Sequence, residues 1–236
     1  MASRCAIPAG AARRQLLCFA ATSLALAACG GTATPHEAKS ATRDDDHDEA
    51  EVTPGEDLMQ EHGVLERVVI IYDTAALRIE RREQLDPALL TQAAGIVRRF
   101  VEDYHERTEE KFVFPRLQAA GREVALVTTL LRQHERGRQL TDEISRLAGA
   151  GVNDDLARAL RGFGHMYRAH AAREDTVVFP AFREIVRGAE YRELGERFEQ
   201  REHQLLGEQG FEGAVAEVAR LEAQLGIADL ARFTPP

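Results

Sequence analysis

From about residue 56 onward the apolar positions recur in steps of three and four, the period that lines one face of an α-helix. The first stripe runs through Leu58, His62, Leu65, Val69, Tyr72, Ala76 and Ile79. Asp86-Pro87 then supplies an N-cap and a first-turn proline. The second stripe comprises Leu90, Ala94, Val97, Val101, His105, Glu109 and Phe112, and Gly121 closes it. A third carries Val127, Leu130, His134, Gly137, Thr141, Ile144 and Ala148 and breaks at Gly149–Gly151. Asn153-Asp154 caps a fourth, with Leu156, Leu160, Phe163, Tyr167, His170, Glu174 and Val177. Four stripes with short joints predict an all-α fold, an up-down-up-down four-helix bundle over residues 56–187. Helical stretches at about 190–206 and 211–224 predict additional C-terminal helices, an extension over residues 188–236.

Each stripe should be apolar throughout, and none is. His62, His105, His134 and His170 each sit near the middle of a stripe, and two stripes add a glutamate four residues on, Glu109 and Glu174. That spacing puts His and Glu on the same helix face, one turn apart. Burying an ionised carboxylate without a partner costs several kcal/mol. A pair of divalent cations removes the cost. Imidazole and carboxylate suit iron, manganese or zinc. Four histidines and two glutamates can hold two ions, with both carboxylates bridging and the remaining positions open to small molecules. A single core histidine is more often hydrogen-bonded to a carbonyl. The joint pattern on four stripes is what selects His62, His105, Glu109, His134, His170 and Glu174 as metal ligands.

The pattern is internally repeated. His105-x-x-x-Glu109 is followed by Phe114-Pro115, and His170-x-x-x-Glu174 by Phe179-Pro180, at the same spacing. Gln60-Glu61-His62 likewise answers Arg132-Gln133-His134. A duplicated helical hairpin closing with pseudo-twofold symmetry would set two matching half-sites face to face. Pro115 and Pro180 should kink or end their helices. Tyr104 and Tyr167 read as core packing able to hydrogen-bond a bound ligand, and Glu106 as a candidate extra ligand. His165 falls off the ligand stripe, and His203, in the extension, has no assigned role.

These residues resemble the hemerythrin-like family, the HHE cation-binding domains. The resemblance covers residues 56–187 and continues through Gly207-Glu208-Gln209-Gly210-Phe211, Leu225-Gly226-Ile227 and Phe233-Thr234-Pro235. Ferritin-like diiron bundles use Glu-x-x-His instead, which the ligand stripes lack. The resemblance implies a non-haem diiron centre with bridging carboxylates, iron ranking ahead of manganese or zinc. His62 matches the ligand of the first helix, His105 and Glu109 the second, His134 the third, and His170 with Glu174 the fourth. Two positions depart from the oxygen carriers of this family. Arg138 stands where they have a second histidine on the third helix, and Glu174 lies four after His170 in place of an aspartate five after. The departures match a more symmetric subgroup, which includes iron-sensing and nitrosative-stress repair proteins. The implied function is a diiron metal-binding protein that binds or senses O2 or NO. The alternatives are a diiron oxidoreductase, or an iron-handling or stress-repair protein acting on NO, peroxide or O2. These share ligands, so the sequence does not decide whether the chain is an enzyme.

Composition narrows the setting. The net charge of −9 argues against nucleic acid as a partner, which would want a basic face. Cys5, Cys18 and Cys29 all precede the helical region, so its chemistry must use His, Asp, Glu or Tyr. Arg4, Arg13 and Arg14 precede an apolar stretch from Leu16 to Ala28, too short for a membrane span and suited to a signal peptide. Leu26-Ala27-Ala28-Cys29-Gly30 resembles a lipobox, which makes residues 1–28 a lipoprotein-type signal peptide and Cys29 a lipidated membrane anchor. Arg13-Arg14 also resembles a twin-arginine signal. The expected location is the cell envelope, anchored to a membrane and facing the periplasm or the exterior. Residues 29–55, with the acidic run Asp44–Glu49 and the histidines His36 and His47, read as a disordered tether.

Overall fold

The structure, a computed structural model, describes residues 52–235. The expected signal peptide, Cys29 and most of the expected tether lie outside the described residues. Among the described residues every regular element is helical. The first rod is α1, Pro54–Glu80. Thr53 caps it in a reciprocal box with Glu56, and Pro54 occupies the first turn, where no amide N–H is needed. The second rod starts as α2, Pro87–Ile96, with the Asp86 side chain accepting from the Ala88 N–H. It continues through π-helical turns at Val97–Glu106 and Glu109–Val113 into α3, Phe114–Ala119. The third rod is α4, Val124–Ala150. The fourth is α5, Asp154–Arg173, capped by Asn153, then a π-helical turn at Glu174–Val178 and α6, Phe179–Ile185. In the bundle α1 lies against α5, α2 against α4, and α4 against α5.

Two further helices, α7 (Ala189–Leu206) and α8 (Gly210–Leu225), come after the bundle, and α8 packs on α1 and α2. Their turn is built around Glu202, which is buried and accepts the Phe211 N–H at 2.6 Å. Gly210 is required there, because a Cβ would fall 1.8 Å from the Glu202 carboxylate. No helix among the described residues is long and apolar enough to cross a membrane.

The π-helical turns correct the sequence reading in register. Phe112 and Val177 were expected to face inward, yet both are only half-buried, while Val113, Phe114, Val178 and Phe179 are buried. The Phe114 N–H bonds to the Glu109 carbonyl and the Phe179 N–H to the Glu174 carbonyl, five residues back. Such a turn takes in an extra residue and rotates the downstream side chains by one position. Pro115 and Pro180 were expected to kink or end these helices. They sit instead in the first turn of the resumed α-helices α3 and α6, where their missing N–H leaves no bond unmade.

The core divides into two apolar clusters. One is built around Tyr72, Phe163, Ile144 and Leu160, the other around Phe114, Phe179, Phe182 and Phe198. On every rod the residues between the two clusters are the histidines and glutamates that break the stripes.

Candidate metal centre

The four rods bring His62, His105, Glu109, His134, His170 and Glu174 into this one layer. Their ligand atoms fall into two overlapping groups, each within 4.8 Å. One group is His62, His105, Glu109 and Glu174; the other is His134, His170, Glu109 and Glu174. The two glutamates are common to both, the arrangement that two bridged ions need. The layer is closed to water: His62, the most exposed of the six, is 6% accessible, and Glu109 and Glu174 are at 0%.

The imidazoles are oriented in pairs. Nε2 of His62 lies 3.1 Å from Nε2 of His105, and Nε2 of His134 lies 3.1 Å from Nε2 of His170. Each outer nitrogen is held by an acceptor. His62 Nδ1 meets Asp175 at 2.7 Å, and His105 Nδ1 meets Glu61 at 2.7 Å. His134 Nδ1 meets Glu110 at 3.1 Å, and His170 Nδ1 meets Gln133 at 3.0 Å. A carboxylate or amide oxygen can only accept, so the proton belongs on Nδ1 and Nε2 presents a bare lone pair. Two lone pairs facing each other repel. Two imidazole nitrogens about 2.1 Å from one ion and at right angles would stand about 3.0 Å apart, close to the spacing observed.

The carboxylates give the same answer. Both oxygens of Glu109 and both of Glu174 are buried and accept no hydrogen bond among the described residues. Imidazole nitrogens lie close by: Glu174 is 3.0 Å from His170 and 3.4 Å from His62, and Glu109 is 3.4 Å from His134. Buried anions left in this state are costly unless they coordinate a cation. The donor set, imidazole nitrogen with carboxylate oxygen, fits iron, manganese or zinc.

Without an ion the layer draws in a proton. Burial disfavours the imidazolium of His62, but Asp175 and Glu174 outweigh it and raise its pKa to about 9. Burial, with the charge of His62 beside it, pushes His105 down to about 3. Burial also lowers His134 to about 4, against the pull of Glu110. Burial, and then the facing charge of Glu174, pushes Glu109 well up. At Glu174 burial is outweighed by His170 and His62, which hold it down. Two facing carboxyl groups cannot both ionise here without a cation.

The outer acceptors Glu61, Gln133, Glu110 and Asp175 were missed as functional residues. Each is the sequence neighbour of a ligand. Glu61 and Gln133 precede His62 and His134, while Glu110 and Asp175 come directly after Glu109 and Glu174. Each supports a histidine of another rod, so the rods are linked in a closed ring. The repeat of Glu61-His62 in Gln133-His134 was the available signal. Phe114 and Phe179 complete the symmetry by stacking on His134 and His62, with ring centroids 5.5 and 5.6 Å apart.

The remaining candidates have defined places. Tyr104 donates to Glu61 at 2.8 Å and Tyr167 to Glu106 at 2.6 Å. Gly137 leaves room for Tyr167, whose hydroxyl would lie 1.8 Å from a Cβ there. Glu106, considered as an extra ligand, is held by Tyr167 and by Arg138 at 2.6 Å, outside the two groups that share Glu109 and Glu174. Burial raises its pKa to about 8. Arg138 also bonds Glu110 at 2.9 Å. His165 and His203 are exposed.

Residues 53–182 match the family described as hemerythrin HHE cation binding domain. The chain is 41% identical to the uncharacterized protein Mb2018 of Mycobacterium bovis, over 97% of this chain and 92% of that protein. It is equally similar, 41% over the same shares, to the uncharacterized protein Rv1995 of Mycobacterium tuberculosis strain H37Rv. No solved structure matches it.

Proposed function

The chain belongs to the hemerythrin HHE cation-binding family, and from that premise we propose that it holds two iron ions and binds or senses O2 or NO at the cell envelope. His62 and His105 would hold one ion and His134 and His170 the other, with Glu109 and Glu174 available to both. The observation that carries this reading is the pair of facing Nε2 contacts, each 3.1 Å, with the unpartnered oxygens of Glu109 and Glu174 between the rods. Bound iron would supply a redox couple and a coordination position for a diatomic ligand.

The chain's own residues set the conditions. The outer acceptors fix each ring's tautomer and direction. Phe114 and Phe179, the members of the second apolar cluster that stack on His134 and His62, close that side of the layer and help to keep water out. A layer this closed admits small ligands in preference to large ones, which favours a gas over an organic substrate.

The test is to reduce the iron-loaded protein anaerobically and add each gas. New charge-transfer bands with O2 or NO are expected; silence with both gases removes the reading. Sustained turnover with a reductant would move the protein to the oxidoreductase alternative. Ready loss of iron to a weak chelator would move it to iron handling. The envelope location rests on Cys29, and Cys29→Ser should shift the protein from the membrane to the soluble fraction. Unchanged membrane retention would contradict the lipid anchor.

A further inference from the structure

The ligand pattern of the metal layer repeats in its two halves, but the charges behind it do not. The bridging glutamates are shared and cannot tell the two positions apart. The outer acceptors can. Behind His62 and His105 stand two carboxylates, Asp175 and Glu61, each 2.7 Å from the ring nitrogen it accepts from. Behind His170 stands the neutral amide of Gln133, at 3.0 Å. Behind His134 stands Glu110, at the longer distance of 3.1 Å, and its carboxylate is shared with two guanidinium groups. Arg138 donates to it at 2.9 Å and Arg107 at 2.6 Å. A carboxylate accepting from Nδ1–H makes the opposite nitrogen a stronger donor to a metal, and an amide does so less.

We infer that the two half-sites are unequal. The His62/His105 position takes its cation first and holds it more tightly, and Gln133 is a positioning residue that keeps the His134/His170 position weaker. The inference rests on the metal-centre reading above and adds an order of filling to it. The bridging glutamates make the second cation bind more weakly than the first in any case, so the gap between two steps is not diagnostic. Which step responds to which outer acceptor is.

The experiment is an anaerobic titration of the full metal-free protein with Co(II), monitored by absorbance and calorimetry. It is run on wild type, Gln133→Glu and Glu61→Gln, with helical content checked by circular dichroism. Gln133 is only half-buried, so its glutamate variant should fold. Wild type is expected to bind in two steps. Gln133→Glu should tighten the second step by roughly 10-fold, the lower end of what outer-partner changes produce, and leave the first within about 3-fold. Glu61→Gln should weaken the first step by a similar factor. A Gln133→Glu variant that tightens the first step, or moves neither, overturns the inequality while the metal centre stands. A folded wild-type protein that takes up no Co(II) overturns the metal-centre reading and the inference with it.

Discussion

Glu202, at the turn between α7 and α8, and Glu109 and Glu174, in the middle of the bundle, are all cut off from water, with exposures of 2%, 0% and 0%. Glu202 meets a backbone N–H at 2.6 Å and pins the start of α8. Glu109 and Glu174 meet no backbone N–H and no side-chain donor from outside the layer, only the imidazole nitrogens of the layer itself. A buried carboxylate is therefore not in itself a sign of chemistry. What separates the two regions is whether the protein supplies the compensating donor. Where it does, the residue is structural; where it does not and imidazole nitrogens converge on the same space, the arrangement fits a cation.

The sharpest way to break this comparison is to change the supply of cation. Binding to the folded state alone stabilises it, by about 4 kcal/mol when the free ion is roughly a thousandfold above its Kd. Thermal unfolding of wild type with and without a chelator should show a loss of that order. In the doubly substituted Glu109→Ala, Glu174→Ala protein the chelator should make no difference. Glu202→Ala should behave in the opposite way. It should cost about 1 kcal/mol, the low end of the penalty for leaving a donor unsatisfied, since the Phe211 N–H is only part-buried, equally with and without metal, and leave metal content unchanged. Urea unfolding in both states measures this.

A smaller effect sharpens the comparison through pH. His62 carries a raised pKa of about 9 in the metal-free layer, against an ordinary value of 6.5. A raised folded value means that the stabilisation is complete below about 6.5 and is lost as pH rises through about 9. Metal-free protein should weaken over that window, as tracked by urea midpoints, and metal-loaded protein should not, since its ligands are held deprotonated by the ion. The smallest expected effect comes from Pro115→Ala or Pro180→Ala. Each should cost only about 0.4–1 kcal/mol by loosening the unfolded chain. Metal content should not change, because the residue sits past the ligands at the π-to-α seam.

The fold and the six-residue layer were legible in the sequence for one physical reason. The stripe positions before the layer stay buried on each rod, even through the π-helical turns of Val97–Glu106, so His62, His105, His134 and His170 stand out against apolar neighbours on the same stripe. Register was lost after Glu109 and Glu174 because a constant helical period was assumed and the π-helical turn takes in one more residue. Phe112 and Val177 were misplaced for that reason alone. The outer ring was not legible. Glu61, Glu110 and Asp175 are charged residues one position from the inward stripe, which looks like a solvated face until the neighbouring rod is in place. Tyr104 and Tyr167 were placed in the core, but the glutamates that accept their hydroxyls belong to other rods and could not be named from spacing.

The central claim is that Glu109 and Glu174 are left without donors because metal ions complete them. The most direct test is elemental analysis of protein isolated from iron-replete cells, repeated after anaerobic reconstitution with ferrous ion. Near two irons per chain in wild type, and none in the Glu109→Ala, Glu174→Ala protein, is the predicted result. A correctly folded wild type that holds no metal under either condition would contradict the account.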